Sequence, residues 1–316
     1  MSLNPEQLKR HCEIIIQSRR IKNKIVVLCE GERGIKDTRD RLSPQSYARM
    51  EQMPDANFYK ACVPRWWSQY KPEFFNCGDR KDVIDSYFTL LEIHKQDSKN
   101  SYLIPEKLFA IVDLDLQLQK IDNYTFSDTE AIFCDLYGQC KVNEINANNH
   151  RIWVTGLVHK EAYFLIPDLQ EVFDNIFASP LYNSNSLVLE NIYLTMADAI
   201  VDDVDLKNNL PTIANRINYL PSLDCTDVDK LRDSWKAEFD NTQDDIEKNE
   251  LILALLTIKK AKDYWNKIHP PTDYSSPAER FREQLLLEIG QFYSHRDSRD
   301  SRYHISFLLA TLYKFV

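Results

Sequence analysis

At 316 residues the chain is long enough for one large domain or two ordinary ones, and 43% hydrophobic with 28% charged residues is a globular rather than a disordered balance. A net charge of −9 argues against a protein that coats nucleic acid non-specifically, although an enzyme acting on nucleic acid needs only a local basic groove. No apolar run reaches the ~18 residues that span a bilayer, the first residues lack a secretory pattern, and the seven cysteines form no Cys-x-x-Cys pair. The expectation is a cytoplasmic protein with reduced thiols, no disulfide framework, no zinc ribbon and no membrane partner.

In chain order, "PEQLKRHCEIIIQSRR" carries apolar residues at helical spacing and predicts a helix. "KIVVLC" is a short β-branched run that predicts a buried strand, followed by Glu30-Gly31-Glu32. Residues from about 32 to 70 are mixed and read as an inserted segment broken by Pro54 and Pro64. "PEFFNCG" predicts a second strand and "DRKDVIDSYFTLLEIHK" a helix with Val83, Tyr87, Leu90 and Leu91 on one stripe. "LFAIVDLDL" predicts a third strand with an acidic end, "TEAIFCDL" a fourth, and "HRIWVTG" a fifth closed by Gly156.

Strands apolar on both faces that alternate with helices predict an α/β domain, with a parallel sheet flanked by helices, over residues 1–180. After that the pattern becomes helical throughout. "NSLVLENIYLTMADAIVDD", "DVDKLRDSWKAEF", "DDIEKNELILALLTIKKAKDYWNKI", "AERFREQLLLEIGQFYSH" and "SRYHISFLLATLYKF" predict an all-α C-terminal region over 181–316.

In an open parallel sheet the site lies beyond the carboxyl ends of the strands. Two strands here end in acids, the first at Glu30 and the third at Asp113 and Asp115. Residues two apart on a strand share a face, so Asp113 and Asp115 are expected to project together, with Leu114 turned away. If the two strands are neighbours, three carboxylates converge. Unpaired buried carboxylates repel at a cost of several kcal/mol, which a hard divalent cation removes. Oxygen ligands favour Mg²⁺, Mn²⁺ or Ca²⁺ over zinc.

A strand ending Glu30-Gly31 followed by a strand ending Asp113-Leu114-Asp115 resembles the TOPRIM signature of topoisomerases, primases and nucleases of the OLD (overcoming lysogenization defect) class. "FFNCGDRKDV" is similar to the second strand and following helix of such domains, and "VTGLVHKEAYFLIP" to a segment of OLD-type and related stand-alone defence nucleases. The resemblance covers residues 24–170. It implies a TOPRIM-like sheet and a nuclease that acts on DNA or RNA in defence against phage or mobile elements. It implies Mg²⁺ or Mn²⁺ held by Glu30, Asp113, Asp115 and Glu161. No Gly-x-x-x-x-Gly-Lys-Ser/Thr pattern occurs, so the resemblance also implies a separate ATPase partner. The segment "ERGIKDTRDR" and the Trp66-Trp67 pair depart from simple TOPRIM domains.

Plainer readings stand beside each of these. Glu30 could be a salt-bridged acid after a strand, the two aspartates solvated in a turn, and Glu161 a first-turn helix acid favoured by the dipole. Lys160 could stabilise a developing phosphorane charge or sit on the surface. Arg80 and Lys81 open a helix where phosphate could be held, and Glu32 is at most an outer acid. Asp202–Asp205 reads as a helix end in solvent, "SHRDSRDSRYH" as a joint laced with surface ion pairs, and Trp66-Trp67 as packing or a partner surface. His159 lies near the site segment, and a lone histidine reads as structural. The alternative function is a non-catalytic TOPRIM-like interaction module that binds a partner ATPase or nucleic acid.

Overall fold

The computed structural model describes residues 3–31, 54–176, 178–272, 274–275 and 277–316. The first helix is fixed by its cap. Asn4 Oδ1 accepts from the Gln7 amide at 2.9 Å and the Gln7 side chain accepts from the Asn4 amide at 3.2 Å, so α1 (Pro5–Gln17) starts with a closed capping box. It buries Cys12, Ile15 and Ile16 and packs on α3.

The sheet follows in the order the apolar runs imply. β1 (Val26–Cys29), β2 (Glu73–Asn76), β3 (Leu108–Leu114) and β6 (Ile152–Val158) form one parallel sheet of order β2-β1-β3-β6. Every residue of β1, β3 and β6 is buried, as a sheet covered on both faces requires. Between the strands come α2 (Pro54–Ala61), α3 (Arg80–Gln96), α4 (Thr129–Leu136), a short hairpin of β4 (Tyr137–Gly138) and β5 (Lys141–Val142), and α5 (Glu144–Ala147). The fold is α/β with a helical C-terminal region, as the periodicity indicates.

Two expectations in this half are corrected. "TEAIFCDL" is helix α4, not a strand. Asp128 caps it by accepting from the Ala131 amide at 2.8 Å, and Ile132, Phe133 and Leu136 form its buried face. Gly156 does not close β6, which runs on to Val158. A Cβ at Gly156 would meet His304 Nδ1 at 2.4 Å and the Tyr137 ring at 2.6 Å, so glycine is there for close approach rather than for a turn.

The C-terminal region contains α6 (Gln170–Asn175), α7 (Leu189–Asp198), α8 (Val204–Asn208), α9 (Leu210–Arg216) and α10 (Val228–Asn241). It continues with α11 (Asp245–Ile258), α12 (Lys262–Trp265), α13 (Ala278–His295) and α14 (His304–Leu312). It also holds a three-stranded ribbon of β7 (Leu181–Tyr182), β8 (Asn185–Ser186) and β9 (Ile268–His269), which helical spacing does not announce. The run from Asp244 to Ile268 breaks at Lys259, whose extended backbone lets its ammonium reach Ala199 O and Asp203. The Asp202–Asp205 stretch begins a helix instead of ending one. Asp203 caps α8 and pairs with Lys259, and Asp205 pairs with Lys260 at 2.7 Å. The Arg/Asp joint near the C-terminus is laced by Arg299–Asp297 and Arg302–Asp300 pairs, and Trp67 is buried beneath a half-exposed Trp66. Among the described residues no helix is long and apolar enough to cross a membrane.

Buried apolar side chains from Cys12 to Leu312 form one contiguous cluster, so the helices share a core with the sheet. α11 packs on β6, and α13 packs on α2. The tie between α14 and β6 is polar. His304 Nε2 donates to Cys140 O at 2.7 Å, and its Nδ1 accepts from the Tyr163 hydroxyl at 3.1 Å. That hydroxyl accepts in turn from the Gly156 amide at 2.7 Å.

Burial outweighs the Cys140 carbonyl and pulls His304 down from 6.5 to about 4. A histidine depressed in the folded state contributes stability that is full above its unfolded pKa and is lost as pH falls through the folded one. Protonation of His304 should therefore cost the fold about 3 kcal/mol between pH 6.5 and 4. Denaturant unfolding at stepped pH should show a shallower acid loss in His304→Gln than in the wild type. Identical slopes would exclude this histidine as the acid-sensitive group.

Candidate functional site

The site is built where the β3 ladder stops. Cys29 pairs with Ile111, after which β1 ends. On the other side the register to β6 runs evenly to Val112↔Val154 and then jumps to Leu114↔Val158. The next two amides of β3 therefore lose strand partners, and side chains take over. Asp113 N donates to Glu30 Oε1 at 2.8 Å, and Leu114 N donates to Thr155 Oγ1 at 2.8 Å. Gly31 and Gly78, both at positive φ (152° and 102°), exchange amide–carbonyl bonds of 2.9 and 3.1 Å that hold the ends of β1 and β2 together.

β1 and β3 are neighbours, so Glu30 and Asp113 meet at one sheet edge. Burial of its carboxyl group and the Asp113 charge push Glu30 well above the ordinary carboxylate range, against the Asp113 amide, Arg80 and Lys160. Asp113 is also raised by burial and by Glu161, with Lys160 and His159 opposing.

Asp115 lies past the end of β3, so strand alternation does not place it. It faces basic side chains: Arg80 at 3.8 Å, His159 Nε2 at 3.7 Å and Lys260 at 3.7 Å. Burial acts upward on Asp115, but His159, Lys260 and Arg80 outweigh it and hold the carboxyl below its usual range.

Glu161 sits in a 3₁₀ turn, Lys160–Phe164, directly after β6. It is 7% exposed, and its carboxylate has no hydrogen-bond or ion-pair partner among the described residues. One ligand atom each from Asp113, His159 and Glu161 lies within 4.8 Å of the others. Glu30 and Asp115 border this group but do not join it. Glu30 is committed through one oxygen to the Asp113 amide, and Asp115 is engaged by the three bases.

His159 is placed in the site, where the sequence suggests only a structural residue. Its backbone is unusual, with φ 61° and ψ 155°, a region close to glycine-only that costs about 1–3 kcal/mol. Bonds from His159 N to Leu114 O (3.1 Å) and from Ala162 N to His159 O (3.2 Å) hold it there. The signal available in sequence was position alone: a ligand-type residue at the carboxyl end of a strand, two before an acid.

The helical region supplies groups with no sequence signal at all. Arg216, 5% exposed, binds Glu130 through Nε at 3.0 Å and donates from Nη2 to the Asp115 carbonyl at 2.7 Å. Lys260 bridges Asp205 and Asp115. Arg80 opens α3 with Nε and Nη1 buried and without hydrogen-bond partners among the described residues, whereas Lys81 turns outward to Asp85. Glu32 lies outside the described residues.

The donor set suits a divalent cation. Two buried carboxylates and an imidazole converge, and among the described residues His159 Nε2 is buried without a hydrogen bond. Comparison of the chain with protein-family models, with curated proteins and with solved structures finds no match.

A carboxylate whose pKa is raised by folding destabilises the fold once it is forced to ionise. Glu30→Gln keeps an oxygen for the Asp113 amide and removes the charge. In chelator at pH 7.5 this variant should melt higher than the wild type, by roughly 2–4 °C for each kcal/mol relieved. A lower melting temperature would show that Glu30 is a net structural support.

Proposed function

We propose that the chain is a metal-dependent phosphodiesterase, a nuclease of the TOPRIM kind. The observation that carries this reading is the meeting of Asp113, His159 and the buried Glu161, bordered by Glu30, at the carboxyl ends of adjacent parallel strands. The order Glu30-Gly31, then Asp113-Leu114-Asp115, supports the same family. A separate ATPase partner and a role in defence follow from that resemblance alone.

Asp113 and Glu161 would hold Mg²⁺ or Mn²⁺. Bound there, the cation would supply charge neutralisation at the scissile phosphate and a water of lowered pKa. The remaining work belongs to side chains. Glu30, whose carboxyl is raised by burial and by the Asp113 charge, accepts the proton of the attacking water. Arg80 has two buried donors to offer a phosphate oxygen, and Lys160 and Lys260 add positive charge at the same edge. Asp115 balances Arg80 and Lys260 and keeps them in place until a phosphodiester arrives.

The test is incubation of the purified chain with plasmid, single-stranded DNA and tRNA in Mn²⁺, in Mg²⁺ and in chelator. Cleavage is expected only with metal, and Glu30→Gln should lose on the order of 100-fold or more. Absence of cleavage of all three substrates with either metal would sink the hydrolase reading and favour a binding module. A wild-type rate in Glu30→Gln would remove Glu30 from the chemistry.

A further inference from the structure

Resting on the metal-site part of that reading, we propose that His159 is a direct nitrogen ligand, so that the site takes Mn²⁺ in preference to Mg²⁺. The argument begins with unspent groups. Glu161 is more than nine-tenths buried, and its carboxylate has no hydrogen-bond or ion-pair partner among the described residues. His159 Nε2 is buried and has no hydrogen-bond partner either; its nearest acid, Asp115, stands at 3.7 Å, beyond hydrogen-bond length. A ligand nitrogen of His159 and oxygens of Asp113 and Glu161 lie within 4.8 Å of one another. Donors at ~2.1 Å from one ion are ~3.0 Å apart in cis and at most ~4.2 Å apart in trans, so the three atoms need to draw together by no more than roughly 2 Å to share an ion.

His159 joins this group from a strained backbone. Histidine is held at positive φ by the bonds to Leu114 O and from Ala162 N. Donor chemistry then decides the metal. Mg²⁺ demands oxygen ligands and sheds water reluctantly, whereas an imidazole nitrogen is a good ligand for first-row transition dications. Two carboxylates and one imidazole form a mixed set that Mn²⁺ accepts and Mg²⁺ does not use fully. His159 therefore sets the metal preference, and Asp113 and Glu161 set the affinity shared by both ions.

The experiment uses the full chain, stripped with chelator. Mn²⁺ binding is measured by calorimetry and Mg²⁺ binding by competition against Mn²⁺. The wild type should favour Mn²⁺ by about tenfold or more. His159→Asn, which replaces the nitrogen donor by an amide oxygen, should erase most of that ratio while Mg²⁺ affinity changes little. Glu161→Gln should weaken both ions together. An unchanged Mn²⁺/Mg²⁺ ratio in His159→Asn, or equal affinities in the wild type, overturns the proposal. Should the variant fail to fold, pulsed EPR of the Mn²⁺-loaded wild type decides. A ¹⁴N coupling from a bound imidazole is expected, and its absence overturns the assignment. These readouts are separate from cleavage. A nitrogen-bound Mn²⁺ in a protein that cuts no nucleic acid upholds the ligand and removes the hydrolase reading. Cleavage without nitrogen coupling does the reverse.

Discussion

The interruption of the β3 ladder at Asp113 governs the rest of the molecule's edge. A parallel strand buried on both faces must satisfy every amide, because an unpaired one costs free energy comparable to a lost hydrogen bond. Where β1 ends and β6 jumps register, the Asp113 and Leu114 amides are met by Glu30 and Thr155 side chains. Thr155 is itself anchored by donating to Leu157 O at 2.9 Å. One consequence is that Glu30 is fixed against β3 by backbone chemistry. A second is that the displaced segment of β6 delivers His159 and Glu161 to the same edge. The acids are together because the ladder gives out there.

That edge concentrates charge that would be unstable alone. Glu30 and Asp113 are raised by burial and by one another or Glu161, while Asp115 is lowered by the bases around it. The two kinds of carboxylate thus divide the local roles: one kind resists ionisation, and the other is ionised and neutralised. Such a division is typical of sites that handle protons and cations, although ion-pair networks produce it too. Its cost falls on the surrounding fold, which the helical region braces. Arg216 grips the Asp115 backbone and Glu130, Tyr293 donates to Tyr163 O at 2.7 Å, and Tyr193 donates to Leu165 O at 2.6 Å. The two tyrosines pin the segment after β6, and Arg216 pins the end of β3.

The legibility of all this in the sequence was uneven for physical reasons. Strands β1 and β3 were readable because full burial leaves a continuous apolar run, and their acidic ends stood out against it. "TEAIFCDL" was misread because an eight-residue apolar stretch fits either period; Asp128, the cap that decides the matter, lies just outside it. Gly156 looked like punctuation, but its reason is the His304 ring pressed against it from the far end of the chain. His159 was passed over because a single histidine has no periodic partner.

By itself the sequence determined the alternation of strand and helix, the parallel sheet, the helical C-terminal region, and the acids Glu30, Asp113 and Asp115 at strand ends. These are local properties of burial and period, written in consecutive residues. Only the tertiary structure decided which acids meet and which is neutralised by bases, and that His159 and Glu161 join Asp113. It alone brought Lys260 and Arg216 from the helices to the site. Those outcomes depend on strand register and on packing between distant segments, and neither leaves a trace in the spacing of residues along the chain.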